Sequence, residues 1–236
     1  MRLIILLVSV MISCFGAPRQ AAGQIVGPGL KQGDLELGAW RAFFTLDMLE
    51  KSKPYDCVEE LRRDDDDDRA GLMLRYGITN RIYALLNFGA ANWVWNKGEP
   101  DERNYFTTVL GIGGGVHVTS LGNYTVRLGG EYNDVLDVGR DYRSTPFRAR
   151  EARIAATIGR AFKNRWLRLD LSAGPLFFSY RWKAFDRNED VIRGRNRHPF
   201  SMVTAATIEF FNRVNGGLEL TLGAITDWRW RLHVRL

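Results

Sequence analysis

The sequence predicts an all-β chain: an antiparallel, up-and-down transmembrane β-barrel of ten strands, with eight as the alternative count. Three observations carry this. Apolar residues recur at every second position over most of the chain, the period of a strand with two unlike faces. The connections between these runs alternate between short turns and long charged loops. A charged and apolar leader opens a chain in which no later apolar run reaches the ~18–20 residues that a spanning helix needs.

The leader comes first in the chain. Arg2 supplies a charged start, and residues 3–12 form an apolar run of signal-peptide length. Ala21-Ala22-Gly23 offers small residues for cleavage, so residues 1–23 are expected to be a signal peptide. Residues 24–33 then form an N-terminal periplasmic segment, and 34–236 the barrel. A rival reading treats Met11-Ile12-Ser13-Cys14 as a degenerate lipidation site. The leader takes Cys14 with it, which leaves Cys57 without a cysteine partner in the mature chain.

Strands are expected at 34–46, 69–78, 81–95, 105–118, 124–138, 147–162, 166–182, 200–211, 217–225 and 229–236. The alternation is plain in several of them. Ala70, Leu72, Leu74, Tyr76 and Ile78 share one face, as do Tyr124, Val126, Leu128, Gly130 and Tyr132. Leu167, Leu169 and Leu171 oppose Arg168, Asp170 and Ser172. Trp230, Leu232, Val234 and Leu236 oppose Arg229, Arg231, His233 and Arg235. The last two strands are separated by a break at Thr226-Asp227-Trp228.

Thr79-Asn80, Thr119 to Asn123, Lys163 to Arg165 and Asn212 to Gly216 read as short turns with Asn or Gly chemistry. Glu50 to Asp68, Asn96 to Asn104, Gly139 to Pro146 and Lys183 to Pro199 read as long, charged, mobile loops. Short turns at one end and long loops at the other are the mark of an outer-membrane barrel, with the long loops extracellular. Tyr76, Tyr83, Tyr124, Phe162, Trp166, Phe210 and Phe211 lie beside the short turns. Trp93, Trp95, Tyr105, Phe106, Tyr132, Tyr180, Trp182 and Phe200 lie near the long loops. Together they suggest two aromatic belts at the two membrane interfaces.

The stretch Arg75-Tyr76-Gly77-Ile78-Thr79-Asn80-Arg81 resembles the strand–turn–strand signature of small bacterial outer-membrane barrels. These include OmpA- and OmpW-like groups and transporter-like barrels linked to degradation of aromatic compounds. The alternating Trp230, Leu232, Val234, Leu236 resembles the signal read by the barrel-assembly machinery, although those families usually end in Phe or Trp. The resemblance implies residence in the outer membrane, with lipid, lipopolysaccharide and the assembly machinery as partners.

If the apolar rows meet lipid, the polar rows line the lumen. A lumen-lining charge network is expected from Arg75, Arg127, Glu131, Arg153, Arg168, Asp170, Glu209, Glu219 and Arg231. Glu36, Glu151, Arg229, Arg235, His117 and His233 fall on the same rows. Such charges either pair into a plug or line a path for a small solute. Two further readings stay open: a barrel enzyme acting on lipid or peptide, and a soluble secreted barrel holding an apolar ligand. A soluble binder would turn Leu167, Leu169 and Leu171 inward.

Chemistry-bearing motifs are sparse. No Ser lies in a Gly-x-Ser-x-Gly setting, and no His-Glu-x-x-His or Cys-x-x-Cys spacing occurs. The glycines from Gly111 to Gly115 lack the Lys-Ser/Thr of a phosphate loop and read as relief of crowding in a strand. No cofactor or catalytic set is expected. The 33 basic residues are interspersed with 27 acidic ones, without the basic block of a nucleic-acid binder. The run Asp64, Asp65, Asp66, Asp67, Asp68 is a weak candidate cation loop; between Arg62-Arg63 and Arg69 it reads as a solvated, self-repelling loop.

Overall fold

A computed structural model describes residues 30–51, 61–95, 103–137, 147–163, 166–185, 191–196, 198–210, 213–223 and 225–236. The leader, the candidate lipidation site and Cys57 lie outside the described residues. The chain forms β1 (Leu35–Lys51), β2 (Leu61–Gly77), β3 (Ile82–Trp95), β4 (Arg103–Leu121), β5 (Tyr124–Asp137) and β6 (Phe147–Lys163). It continues through β7 (Leu167–Phe185), β8 (Val191–Asn196), β9 (Phe200–Phe210), β10 (Val214–Gly223) and β11 (Ile225–Arg235). Ten of them close a ring in the order β1-β2-β3-β4-β5-β6-β7-β9-β10-β11, and β11 returns to β1. Every pairing in it is antiparallel.

Burial follows the alternation. In β9 the residues from Phe200 to Phe210 are alternately exposed and buried almost without exception. The apolar row faces out: Phe88 is 59% exposed, Ile112 60% and Ile154 52%. Leu167 and Leu171 also face out, while Asp170 and Ser172 between and beside them are buried. That orientation excludes the soluble binder, which needs those leucines inside. An exterior this apolar fits a hydrocarbon surround, because soluble monomers rarely expose apolar patches above a few hundred Å².

The short-turn end is closed by local hydrogen bonds. The Thr79 hydroxyl accepts from the amides of Arg81 and Ile82 in the β2–β3 turn. Gly122, with φ +60°, turns β4 into β5. The Gly33 and Gly77 amides donate to the Gly77 and Asp34 carbonyls, each at 2.9 Å, tying the entering chain to the end of β2.

The opposite end departs from the sequence reading in three places. β2 begins at Leu61, so the acidic run is strand: Asp64 to Asp68 pair with Asp47 to Phe43 of β1. The expected loop of Glu50 to Asp68 is correspondingly shorter. Composition suggested a solvated loop, but parity decides otherwise: Asp67 shares the inward row with Arg69, Met73 and Arg75. The expected loop of Lys183 to Pro199 contains β8, which lies between β7 and the top of β1. There β8 passes above the β10–β11 hairpin, so the rim at this end is built from β1 to β8. Asn196 secures the kink between β8 and β9: its side-chain amide donates to the Phe178 and His198 carbonyls, and its Oδ1 accepts from the Tyr180 amide. The break expected at Thr226-Asp227-Trp228 falls instead between Gly223 and Ile225, and those three residues pair with Thr45 to Phe43 of β1. Gly223 has φ +134°, a conformation that an L side chain rarely adopts.

Two belts of aromatics survive in part. Tyr76, Tyr124, Phe162, Trp166 and Phe210 are exposed at the short-turn end, and Phe106, Tyr132 and Phe200 on the other side. Tyr83, Tyr180 and Trp182, expected in the belts, point inward and are buried. Each lies on the inward parity of its strand, and nearness to a strand end does not override parity.

Candidate functional site

The lumen is the candidate site, and its side chains come from nearly every strand. Alternation brings them there: each strand sends every second residue inward, and the polar residues occupy that row. Among the described residues the inward ionic groups are Glu36, Asp67, Glu131, Glu151, Asp170, Glu209, Glu219 and Asp227 against Arg69, Arg75, Arg127, Arg153, Arg168, Arg229, Arg231 and Arg235.

The groups form a central cluster and a second set toward the short-turn end. In the centre Arg69 donates to Asp67 at 2.6 and 2.9 Å and to Glu151 at 2.5 Å. Arg153 reaches Asp227 at 2.7 Å and Glu219 at 3.5 Å. Arg229 reaches Asp227 at 2.9 Å, Glu151 at 3.2 Å and Glu131 at 3.4 Å. Asn87 and Asn133 donate to the other oxygen of Glu131 at 2.5 and 2.8 Å. The Phe44 ring lies among the cations, 4.6 Å from the Arg69 guanidinium carbon and 4.8 Å from that of Arg229. A ring face so placed stabilises desolvated guanidinium.

Toward the short-turn end, Glu36 accepts from Arg75 at 2.8 Å, Asn215 at 2.7 Å and Arg235 at 3.1 Å. His233 Nδ1 lies 3.5 Å from Glu36. Arg75 also covers the Tyr83 ring at 4.3 Å. Arg127 grips Asp170 through two parallel bonds of 2.5 and 2.6 Å. Arg168 bridges Asp170 and Glu209 at 3.6 and 3.9 Å. His117 stands apart near the end of β4, beside the Thr119 carbonyl and the Ser120 hydroxyl.

Apolar side chains share the lumen. Trp40, Phe44, Val109, Val135, Leu176, Phe178, Tyr180 and Trp182 belong to one buried cluster. Glycines on the inward face of β4 make room for their neighbours. A Cβ on Gly115 would lie 2.6–2.8 Å from the Tyr83 ring and hydroxyl, and one on Gly111 would collide with the Asn133 side chain.

All nine expected lumen residues lie on inward rows. Arg75, Arg127, Arg153, Asp170, Glu209, Glu219 and Arg231 are buried, and Glu131 and Arg168 are partly so. Sequence reasoning missed Asp67, Arg69 and Asp227 as members. The signal was present: Asp67, Arg69 and Arg75 share a parity, as do Asp227, Arg229 and Arg231. A loop assigned over Asp67 and a break assigned over Asp227 concealed these two, and Arg69, the first residue of its expected strand, was left off the row. Among the described residues no group of three or more His, Cys, Asp or Glu is arranged to hold a metal ion.

An apolar exterior around an ionic interior, closed without free strand edges, is the architecture of an outer-membrane barrel. No protein-family model and no curated protein matches the chain. Solved structures with a similar fold include Ail, the attachment invasion locus protein of Yersinia pestis, at 11% identity and TM-score 0.33, covering 87% of this chain and 99% of that one. The outer-membrane protein OprG of Pseudomonas aeruginosa is similar at 9% identity and TM-score 0.41, covering 88% and 98%. The outer-membrane protein AlkL is similar at 14% identity and TM-score 0.37, covering 92% and 97%.

Proposed function

We propose that this protein is an outer-membrane barrel with a filled lumen, serving a structural, non-enzymatic role in the envelope. One observation carries the reading. Arg229 on β11 meets Glu131 on β5 at 3.4 Å, and these strands are five steps apart in a ring of ten. The pair therefore spans the diameter. Arg69–Glu151 and Arg153–Asp227 each join strands four steps apart. Side chains that bond across the lumen obstruct an aqueous path at that level, and a ten-stranded barrel is near the size that side chains can fill.

Small-solute passage is the competing function, and it requires this network to rearrange. The enzyme reading has less to draw on. His233 lies against Glu36, and His117 meets the Ser120 hydroxyl and the Thr119 carbonyl; among the described residues neither belongs to a serine–histidine–acid set.

Conductance in planar bilayers tests the reading. The purified full chain is expected to give no steady ohmic current, and Arg229→Ala combined with Phe44→Ala is expected to introduce one. A steady, salt-proportional current through the unaltered protein would establish passage instead.

A further inference from the structure

The outer wall carries a second organised set of charges, distinct from the lumen. Near the long-loop end, three neighbouring strands place basic residues directly opposite one another. Arg150 of β6 pairs in register with Arg181 of β7, and Arg181 with Arg195 of β8. One step further out, Arg148 pairs with Lys183, and Lys183 with Arg193. Arg148, Arg150, Arg181, Lys183 and Arg195 are exposed, and Trp182 and Gly194 between them are buried, so the ladder is on the outside. Like charges directly opposite on a sheet repel. Arg148 has Asp134 of β5, in bonds of 2.5 and 3.1 Å. No acid among the described residues partners Arg150, Arg181, Lys183 or Arg195.

Height along the wall identifies what could relieve the repulsion. On β7 the outward row is apolar from Leu167 to Phe177, then turns to Ser179, Arg181 and Lys183. Eleven residues at ~3.3 Å rise and ~40° tilt make an apolar band about 25 Å tall, the height of the hydrocarbon layer. The ladder starts immediately above it, at headgroup level. Directly below lie Phe177 and Phe200, in register, exposed, and packed edge to face at 5.7 Å and 71°.

We propose that this ladder is a binding site for an anionic lipid of the leaflet at the long-loop end. The lipid phosphates lie across Arg150, Arg181 and Arg195, and an acyl chain rests on Phe177 and Phe200. Guanidinium forks match phosphate oxygens, and the aromatic shelf beneath requires a ligand with an apolar tail. The inference rests on the membrane-barrel reading and adds a site to it.

The test uses the full chain refolded in neutral detergent, with lipid A or phosphatidate as the probe and native mass spectrometry as the readout. Folding is checked separately by heat-modifiable migration on gels, so a chain that fails to form a barrel is seen before binding is measured. Wild type is expected to retain one lipid. Arg150→Gln/Arg181→Gln/Arg195→Gln, still heat-modifiable, should retain at least tenfold less, and the corresponding Lys variant should recover part of it. Inorganic phosphate at millimolar concentration should not displace the lipid. Equal retention by wild type and the Gln variant overturns the site. So does displacement by phosphate alone, because the shelf would then contribute nothing. Arg160→Gln, at the opposite belt beside Tyr124 and Phe162, is the control and should bind as wild type.

Discussion

Arg153 shows how a single residue can matter to a barrel out of proportion to its size. Its guanidinium is wholly buried and lies within ion-pair distance of Asp227, Glu219 and Glu151. A buried pair adds little net stability compared with a well-packed apolar substitute, yet removing one partner strands the others in low dielectric. Arg153→Ala is therefore expected to cost about 3–5 kcal/mol, read as a lowered midpoint for the loss of heat-modifiable migration. Arg148→Ala removes a pair of similar geometry on the outer wall, and no measurable change is expected. Equal effects would mean that the central cluster is solvated. The same contrast separates Asp67 from Asp68, neighbours in sequence. Asp67 is buried against Arg69, whereas Asp68 faces outward and takes the Arg41 fork at 2.7 and 3.0 Å.

Within an element, facing is set by parity, and parity can be tested. Leu128 on β5 and Ile154 on β6 are exposed on the apolar wall, whereas Thr125 lies on the row of Arg127. Leu128→Arg and Ile154→Arg should each impair assembly, by roughly 2–4 kcal/mol near the midplane. Thr125→Arg should be better tolerated, because its row already holds polar groups. Folding yield into vesicles measures this, and equal losses at both rows would reverse the assigned faces. Much of this level could be read in sequence. The bounds of β3 and β5 differ from expectation by one residue at an end. β2 was foreshortened because a run of five acids resembles a loop in composition, and only its pairing with β1 and β3 makes it strand. β8 escaped for a related reason: Val191 to Asn196 is short, charged and set among loop residues, with no long alternation to announce it.

For the whole molecule, the short turns and the residues flanking the long connections lie at opposite ends of the barrel. Topology should follow: Asn123→Cys, in the exposed β4–β5 turn, should stay unlabelled by a membrane-impermeant maleimide on intact cells and label once the outer membrane is permeabilised. The native Cys57, in the connection between β1 and β2, should label on intact cells. The reverse pattern would invert the barrel. Alternation and turn spacing were enough to determine an all-β chain, its outward and inward faces, and the end at which the short turns lie. These are local properties, set by the two-residue repeat of the strand and the few residues of a turn. Closure decided the rest. Arg229 and Glu131 are 98 residues apart, and Arg235 and Glu36 are 199. Whether such groups meet depends on strand number, register and tilt around the whole ring, so ion pairs across the diameter exist only once the last strand has joined the first.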